Sequence, residues 1–202
     1  MSACKYWQRR KTAIVRRIRN GSTEPYSPPQ QLARAPSPMH HKSMQIREAT
    51  ADDAAEACQV LRRSITELCN ADHMDDPVIL EDWLSNKTPA NVRSWIVRAD
   101  NHVFVATEGS TILAVGAATS FGEITLNYVS PDARFAGVSK ALLNRLEAKT
   151  LELGNNTCTL TSTETARRFY LSAGYKQQSS SKNLLATSSS YLMIKQLSPV
   201  HG

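Results

Sequence analysis

Arg134, Gly137, Ser139 and Lys140 stand a few residues after a strand-like stretch and at the opening of a helix-like one. Backbone N–H groups at a helix start lack intrahelical partners, and the dipole end there is positive. A turn of this kind can therefore hold a phosphate by main chain alone. Gly137 permits close approach of a ligand, and Arg134 and Lys140 add positive charge. The same residues also suit an ordinary strand-to-helix connection, and the turn by itself does not decide between the two.

The elements that must position this turn are legible on both sides of it. From Glu123 to Val129 the residues alternate, with Ile124, Leu126 and Tyr128 on one face and Thr125, Asn127 and Val129 on the other, and Pro131 stops the strand. Val138, Leu142 and Leu146, with Ala141 and Leu143, repeat at helical spacing, so a helix is expected to begin near Gly137 and end at Gly154. Downstream, Thr157 to Thr161 reads as a strand, and Ser162 to Tyr175 as a helix with Ser162 as N-cap and Gly174 as stop.

The pattern Tyr128-Val129-x-Pro131-x-x-Arg134-x-x-Gly137-x-Ser139-x-x-Leu142-Leu143 resembles the pyrophosphate-loop motif of the GNAT superfamily of acyl-CoA-dependent N-acetyltransferases. Ser139 stands where that family usually has Gly or Ala. The pattern Ser162-x-x-x-Ala166-x-x-Phe169-Tyr170-x-x-x-Gly174-Tyr175 resembles the second signature region of the same superfamily. The resemblance covers about Met44 to Leu197. It implies a mixed α/β, GNAT-like fold, with helices flanking a central, mostly antiparallel sheet whose splayed strands admit an acyl-CoA. It also implies transfer of an acetyl group from acetyl-CoA, as co-substrate, to a primary amine by direct attack in a ternary complex, with no metal.

Roles follow from the resemblance position by position. The loop Arg134, Phe135, Ala136, Gly137, Val138, Ser139 and Lys140 would carry the pyrophosphate, and Tyr128 and Val129 the thioester carbonyl and pantetheine. An alkyl amine is mostly ammonium at neutral pH and must lose a proton before it attacks. Glu123 would serve as the base through water, and Tyr170 would protonate the departing thiolate. Family members usually build the acceptor pocket around the region of Asn70-Ala71-Asp72-His73, where Glu67, Asp72 and His73 would orient a cationic amine. His73 with Asp72, Asp75 and Asp76 also raises a metal site, against which stands the lack of a second ligand set. The alternative function is a degenerate relative that binds an acyl-CoA as a sensor or interaction module without turnover.

The rest of the chain divides unevenly. Residues 1–43 carry nine Lys and Arg against one acid, a net of +8, which leaves −2 for the remainder of a chain whose total is +6. With five prolines among interspersed Ser and Gln, this extension is expected to be disordered apart from any short helix near Trp7 to Arg19. Three readings of it stay open: a start upstream of the working Met44, an Arg-rich, acid-poor targeting segment, or a contact with nucleic acid or an acidic membrane. The domain proper is expected over 44–197, with a tail at 198–202.

Cys4, Cys58, Cys69 and Cys158 have neither Cys-x-x-Cys spacing nor a secretory context, so core packing is expected for the latter three. No apolar run approaches a membrane span, and a cytoplasmic location is expected, with organelle targeting by residues 1–43 and homodimerisation left open. A strand at Gln45 to Arg47, a capping-box start at Thr50, helices opening at Asp76-Pro77 and Thr88-Pro89, and a hairpin of His102–Thr107 with Thr111–Thr119 complete the expected order. A serine-rich loop from Ser179 to Ser190 then leads to a last strand, Tyr191 to Lys195, closing the sheet.

Overall fold

The computed structural model describes residues 43–182 and 189–198. Strand β1 (Gln45–Glu48) passes through a 3-10 turn into helix α1 (Ala54–Leu68). Short helix α2 (Asn70–His73), then α3 (Pro77–Ser85) and α4 (Pro89–Val97) follow. Next come β2 (Asn101–Glu108), β3 (Thr111–Thr119), β4 (Glu123–Val129), α5 (Val138–Glu152) and β5 (Thr157–Ser162). Helix α6 (Glu164–Ser172) and strands β6 (Lys176–Lys182) and β7 (Ser189–Gln196) end the domain. The sheet order is β1-β2-β3-β4-β5-β7-β6, and every neighbouring pair is antiparallel except β4 and β5. The basic extension up to Lys42 lies outside the described residues.

Local chemistry starts the helices where the sequence places them. Asp53 takes the Thr50 N–H at 2.7 Å as the far half of a capping box, and the Arg47 guanidinium grips both its oxygens at 2.7 Å. Asp76 caps α3 by accepting from the Val78 and Ile79 N–H groups, and Thr88 caps α4 through the Asn91 N–H. Each has Pro as the next residue, where the missing N–H costs nothing.

The sheet separates two cores. On one side α1 lays Ala54, Cys58, Leu61 and Ile65 inward, and Val92 of α4 joins Leu61 against Val105 and Val115. On the other, Leu142, Leu143 and Leu146 of α5 pack with Phe104, Leu160 and Met193. Each fully buried leucine stabilises the fold by about 1.5–3 kcal/mol. The Lys195 ammonium on β7 donates to both Glu147 oxygens on α5, at 2.7 and 2.9 Å, and fastens the late strands to that helix. Cys58, Cys69 and Cys158 are all buried as expected, Cys69 as the C-cap just past the end of α1.

Two expectations are corrected by the strands. Strict alternation placed Ile124, Leu126 and Tyr128 on one face, but Ala117 pairs with Leu126 and Ala118 with Ile124, leaving Thr125 as a bulge. The extra residue turns Ile124 into the α5 core and Leu126 and Tyr128 toward α1. The serine-rich segment is strand at both ends, since β6 runs to Lys182 and β7 begins at Ser189, and residues 183–188 lie outside the described ones. Strand β7 sits between β5 and β6, so β6, not β7, forms this edge.

Gly122 sets the junction of β4 with β5. Its φ is +83°, a side chain on it would stand 2.6 Å from the Thr157 carbonyl oxygen, and its own carbonyl accepts the Thr159 N–H at 3.0 Å. Gly122→Ala is expected to lower stability by about 1–3 kcal/mol through left-handed backbone strain alone, read by urea unfolding of the full chain. An unchanged midpoint would show that this turn is not a constraint.

Candidate active site

Strands β4 and β5 pair in parallel at only two positions, Glu123 with Thr159 and Ile124 with Leu160, and then part. The gap is a cavity of about 420 Å³, walled by Leu126 to Val129 on one strand, Leu160 to Ser162 on the other, and the turn that opens α5. Its walls are mainly apolar, with Arg134 and Lys140 as the charged side chains lining it. Asn127 also lines it, and the Asn127 Oδ1 is buried without a hydrogen-bond partner among the described residues. A buried acceptor left unsatisfied costs about 1–3 kcal/mol, which a ligand N–H would recover.

The turn itself has the form expected of an anion holder. After Val129 the Ser130 N–H donates to the Leu113 carbonyl at 2.7 Å, and Pro131–Ala133 make one 3-10 turn. Phe135 then adopts φ +64°, and Gly137 adopts φ +77° as the N-cap of α5. Left-handed residues in such a turn point successive N–H groups into a shared hollow. Gly137 brings no capping side chain, so the first N–H groups of α5 are left without a capping partner. Phe135 is 91% exposed and its ring lies beneath the Arg134 guanidinium at 4.6 Å. The one acid of the turn, Asp132, is held by Arg63 of α1 at 2.7 Å, and this pairing keeps its carboxyl below the usual carboxylate range.

Helix α6 supplies the opposite wall. Tyr170 is buried, lines the cleft, and packs edge-on against Phe169 and Tyr175 at 5.1 and 5.6 Å. Burial pushes its hydroxyl up to about 12, a rise that a hydrogen bond from Asn127 partly offsets. The phenol therefore stays protonated at neutral pH. The N-cap of α6 is Thr163, one residue beyond the expected Ser162, whose hydroxyl instead donates to the Thr163 carbonyl.

The three residues expected to orient an amine are not brought together. Asp72 is buried, and its carboxylate accepts the Glu164 N–H at 2.7 Å and the Thr165 N–H at 3.2 Å, capping α6 from another element. His73 is fully buried, with Nε2 3.2 Å from the Ile65 carbonyl oxygen and Nδ1 accepting from the Asp75 N–H. Glu67 is exposed and shares the Arg63 guanidinium with Asp132. Glu123 is exposed at the closed end of the β4–β5 gap, outside the lining of the cleft, with its N–H donating to Thr119 Oγ1. Among the described residues no three His, Cys, Asp or Glu side chains converge as metal ligands, and no helix is long and apolar enough to cross a membrane.

Two groups of residues went unsingled in the sequence. Asn127 carries a signal, a polar residue on the strand face that turns toward the cleft. Asp82, Trp83, Asn86 and Lys87, at the end of α3 and just beyond it, line a second cavity that shares Tyr128 and Thr163 with the first, and no motif marks them.

A parted parallel pair inside an antiparallel sheet, opening onto an uncapped helix start, is the architecture of the GNAT fold. A family model for the acetyltransferase (GNAT) domain matches residues 69–184, more than half of the chain, and the chain belongs to this family. No curated protein matches it. Among solved structures it is similar to a GCN5-related N-acetyltransferase from Rhodopseudomonas palustris, with a TM-score of 0.68 and 20% identity over 79% of this chain and 99% of that one. The PaiA N-acetyltransferase from Thermoplasma acidophilum, solved in complex with coenzyme A, gives 0.66 and 21% over 76% of this chain and 99% of that one. YncA from Salmonella typhimurium, solved with acetyl-CoA, gives 0.60 and 16% over 77% and 95%. At these identities the likeness establishes the fold.

Asp72→Ala is expected to destabilise the protein by about 1–3 kcal/mol, since two α6 N–H groups lose their buried acceptor. Asp72→Asn, which keeps one acceptor oxygen, should cost less. Urea unfolding of both variants checks this, and equal stability of Asp72→Ala and the parent would overturn the capping account.

Proposed function

We propose that this domain transfers an acetyl group from acetyl-CoA to a primary amine by direct attack in a ternary complex. The observation that carries the reading is the coincidence, in one cleft, of an uncapped helix start flanked by Arg134 and Lys140 with an unsatisfied Asn127 Oδ1 and the Tyr170 hydroxyl. Acetyl-CoA supplies the activated acyl group as a thioester. The N–H groups from Arg134 to Lys140, with Phe135, Ala136, Gly137, Val138 and Ser139 between them, bind the pyrophosphate. Main-chain groups of Val129 and the Asn127 amide oxygen take the pantetheine amides, and an N–H at Tyr128 or Val129 polarises the thioester carbonyl. Holding both reactants in the gap supplies much of the rate.

Tyr170 donates to the departing sulfur. Its position in the cleft and its protonated state at neutral pH support this role. Glu123 stands about five residues along β4 from Tyr128, roughly 15 Å at strand rise, so any part it plays in removing the amine proton runs through several waters. Asp72 caps α6 and His73 bonds the Ile65 carbonyl of α1, and neither lines the cleft.

One observation favours a second reading, an acyl-CoA-binding domain without turnover: among the described residues no carboxylate lines the cleft to serve as base. Thermal unfolding of the full chain with acetyl-CoA, together with thiol release on a panel of primary amines, separates the two. The enzyme reading expects a stabilising shift and thiol release, whereas a shift with no release on any amine would leave the binding module. No shift at saturating acetyl-CoA would remove both.

Two variants test the roles. Tyr170→Phe should lower kcat on the order of 100-fold with little change in acetyl-CoA binding. Glu123→Gln should lower kcat/KM by less than about 3-fold if the amine proton passes to solvent without it. A loss comparable to that of Tyr170→Phe would make Glu123 the base after all.

A further inference from the structure

The second cavity, about 330 Å³, meets the acyl cleft at Tyr128 and Thr163 and is otherwise formed by Ile65 and residues from the end of α3. Its volume is at the small end of ligand cavities, which run from about 300 to 1,000 Å³. Asp82 and Lys87 are the charged residues that line it.

Lys87 is the residue that stands out. Its main chain is anchored, since the carbonyl accepts from Arg62 at 3.0 Å and from the Cys58 thiol at 3.1 Å. Its Nζ donates to the Trp83 carbonyl at 3.2 Å and to Asn86 Oδ1, both uncharged oxygens. No carboxylate lies within 4 Å of it among the described residues. Burial lowers its pKa, and the nearby Asp82 offsets this only in part. A half-buried ammonium on a cavity wall, touched by no carboxylate among the described residues, is a site for an anion.

We propose that the acceptor is a small primary amine bearing an anionic group, and that Lys87 pairs with that group while the amine faces the thioester across Tyr128 and Thr163. This rests on the acetyltransferase reading and names its substrate class. The anion is a carboxylate or a phosphonate, which share the chemistry Lys87 recognises. If Lys87 only capped the Trp83 carbonyl at the end of α3, it would not discriminate between amines.

The test uses the full chain, acetyl-CoA and three amines of similar length: 4-aminobutyrate, 2-aminoethylphosphonate and butylamine. The proposal expects kcat/KM for one or both anionic amines at least about 10-fold above butylamine. Lys87→Met should raise KM for the preferred amine by about 10–100-fold, the weight of a lost charge-assisted hydrogen bond, and collapse the preference. Lys87→Arg should restore part of it, and Lys87→Gln replaces the Met variant if that protein fails to fold. Which anion is preferred distinguishes the carboxylate from the phosphonate. Butylamine used as well as the others, or a preference unchanged in Lys87→Met, overturns the proposal.

A second readout is independent of turnover. Tryptophan fluorescence of the CoA-saturated protein should titrate with the anionic amine in the parent, weaken by about 10-fold or more in Lys87→Met, and vanish in Trp83→Phe. Titration without thiol release would uphold the anion site and defeat the acetyltransferase reading. Neither titration nor selective release would defeat the site itself.

Discussion

The rest of this domain depends on two strands that begin paired and do not stay so. Main-chain groups normally complete a ladder, and opening one inside a sheet leaves donors and acceptors unmatched. Here β4 and β5 share Glu123–Thr159 and Ile124–Leu160 and then separate. Three features force the separation. Gly122 allows the close junction at the base, the Thr125 bulge bends β4 just beyond it, and β5 keeps an unbroken register with β7 on its other edge along six positions from Thr157 to Ser162. The cleft is thus held open by covalent and hydrogen-bonded constraints on each strand, and exists before any ligand enters it.

What surrounds the gap is tied across it. Asp72 belongs to the helices on the α1 side, yet its carboxylate ends on the first N–H groups of α6, the helix that bears Tyr170. Arg63 of α1 neutralises Asp132 at the other end of the cleft, so the acid in the turn does not oppose the charge of Arg134 and Lys140. A carboxylate at a helix N-terminus and an arginine on an acid beside an anion turn both act through short-range charge, which survives screening better than the net charge of the domain.

Most of this architecture was legible in the sequence because it rests on local signals. The Asp76-Pro77 and Thr88-Pro89 caps, the Gly137 start of α5 and the alternation of β2 and β3 each lie within a few residues of chain. What was not legible depends on partners distant in sequence. Asp72 reads as a carboxylate of the acceptor pocket until α6, some 92 residues later, arrives to be capped. The bulge at Thr125 reverses the facing of Leu126 and Tyr128, and no residue type at that position announces it. Strand β6, Lys176 to Lys182, is Gln- and Ser-rich and so lacks the apolar alternation by which strands are recognised.

The burial of Tyr170 limits what it can do in the proposed reaction. With its hydroxyl at about 12 and a free thiol near 8.5, complete proton transfer from phenol to thiolate runs uphill by three to four pKa units, on the order of 5 kcal/mol. That is too much for Tyr170 to rest as a phenolate, and small enough for the proton to move partway as the C–S bond breaks. Asn127 bears on this balance, because its hydrogen bond to the hydroxyl favours the phenolate and opposes the rise caused by burial. The same side chain leaves Oδ1 unsatisfied toward the cleft. An amide donor that fills this acceptor would fix the Asn127 plane beside the wall that carries Tyr170.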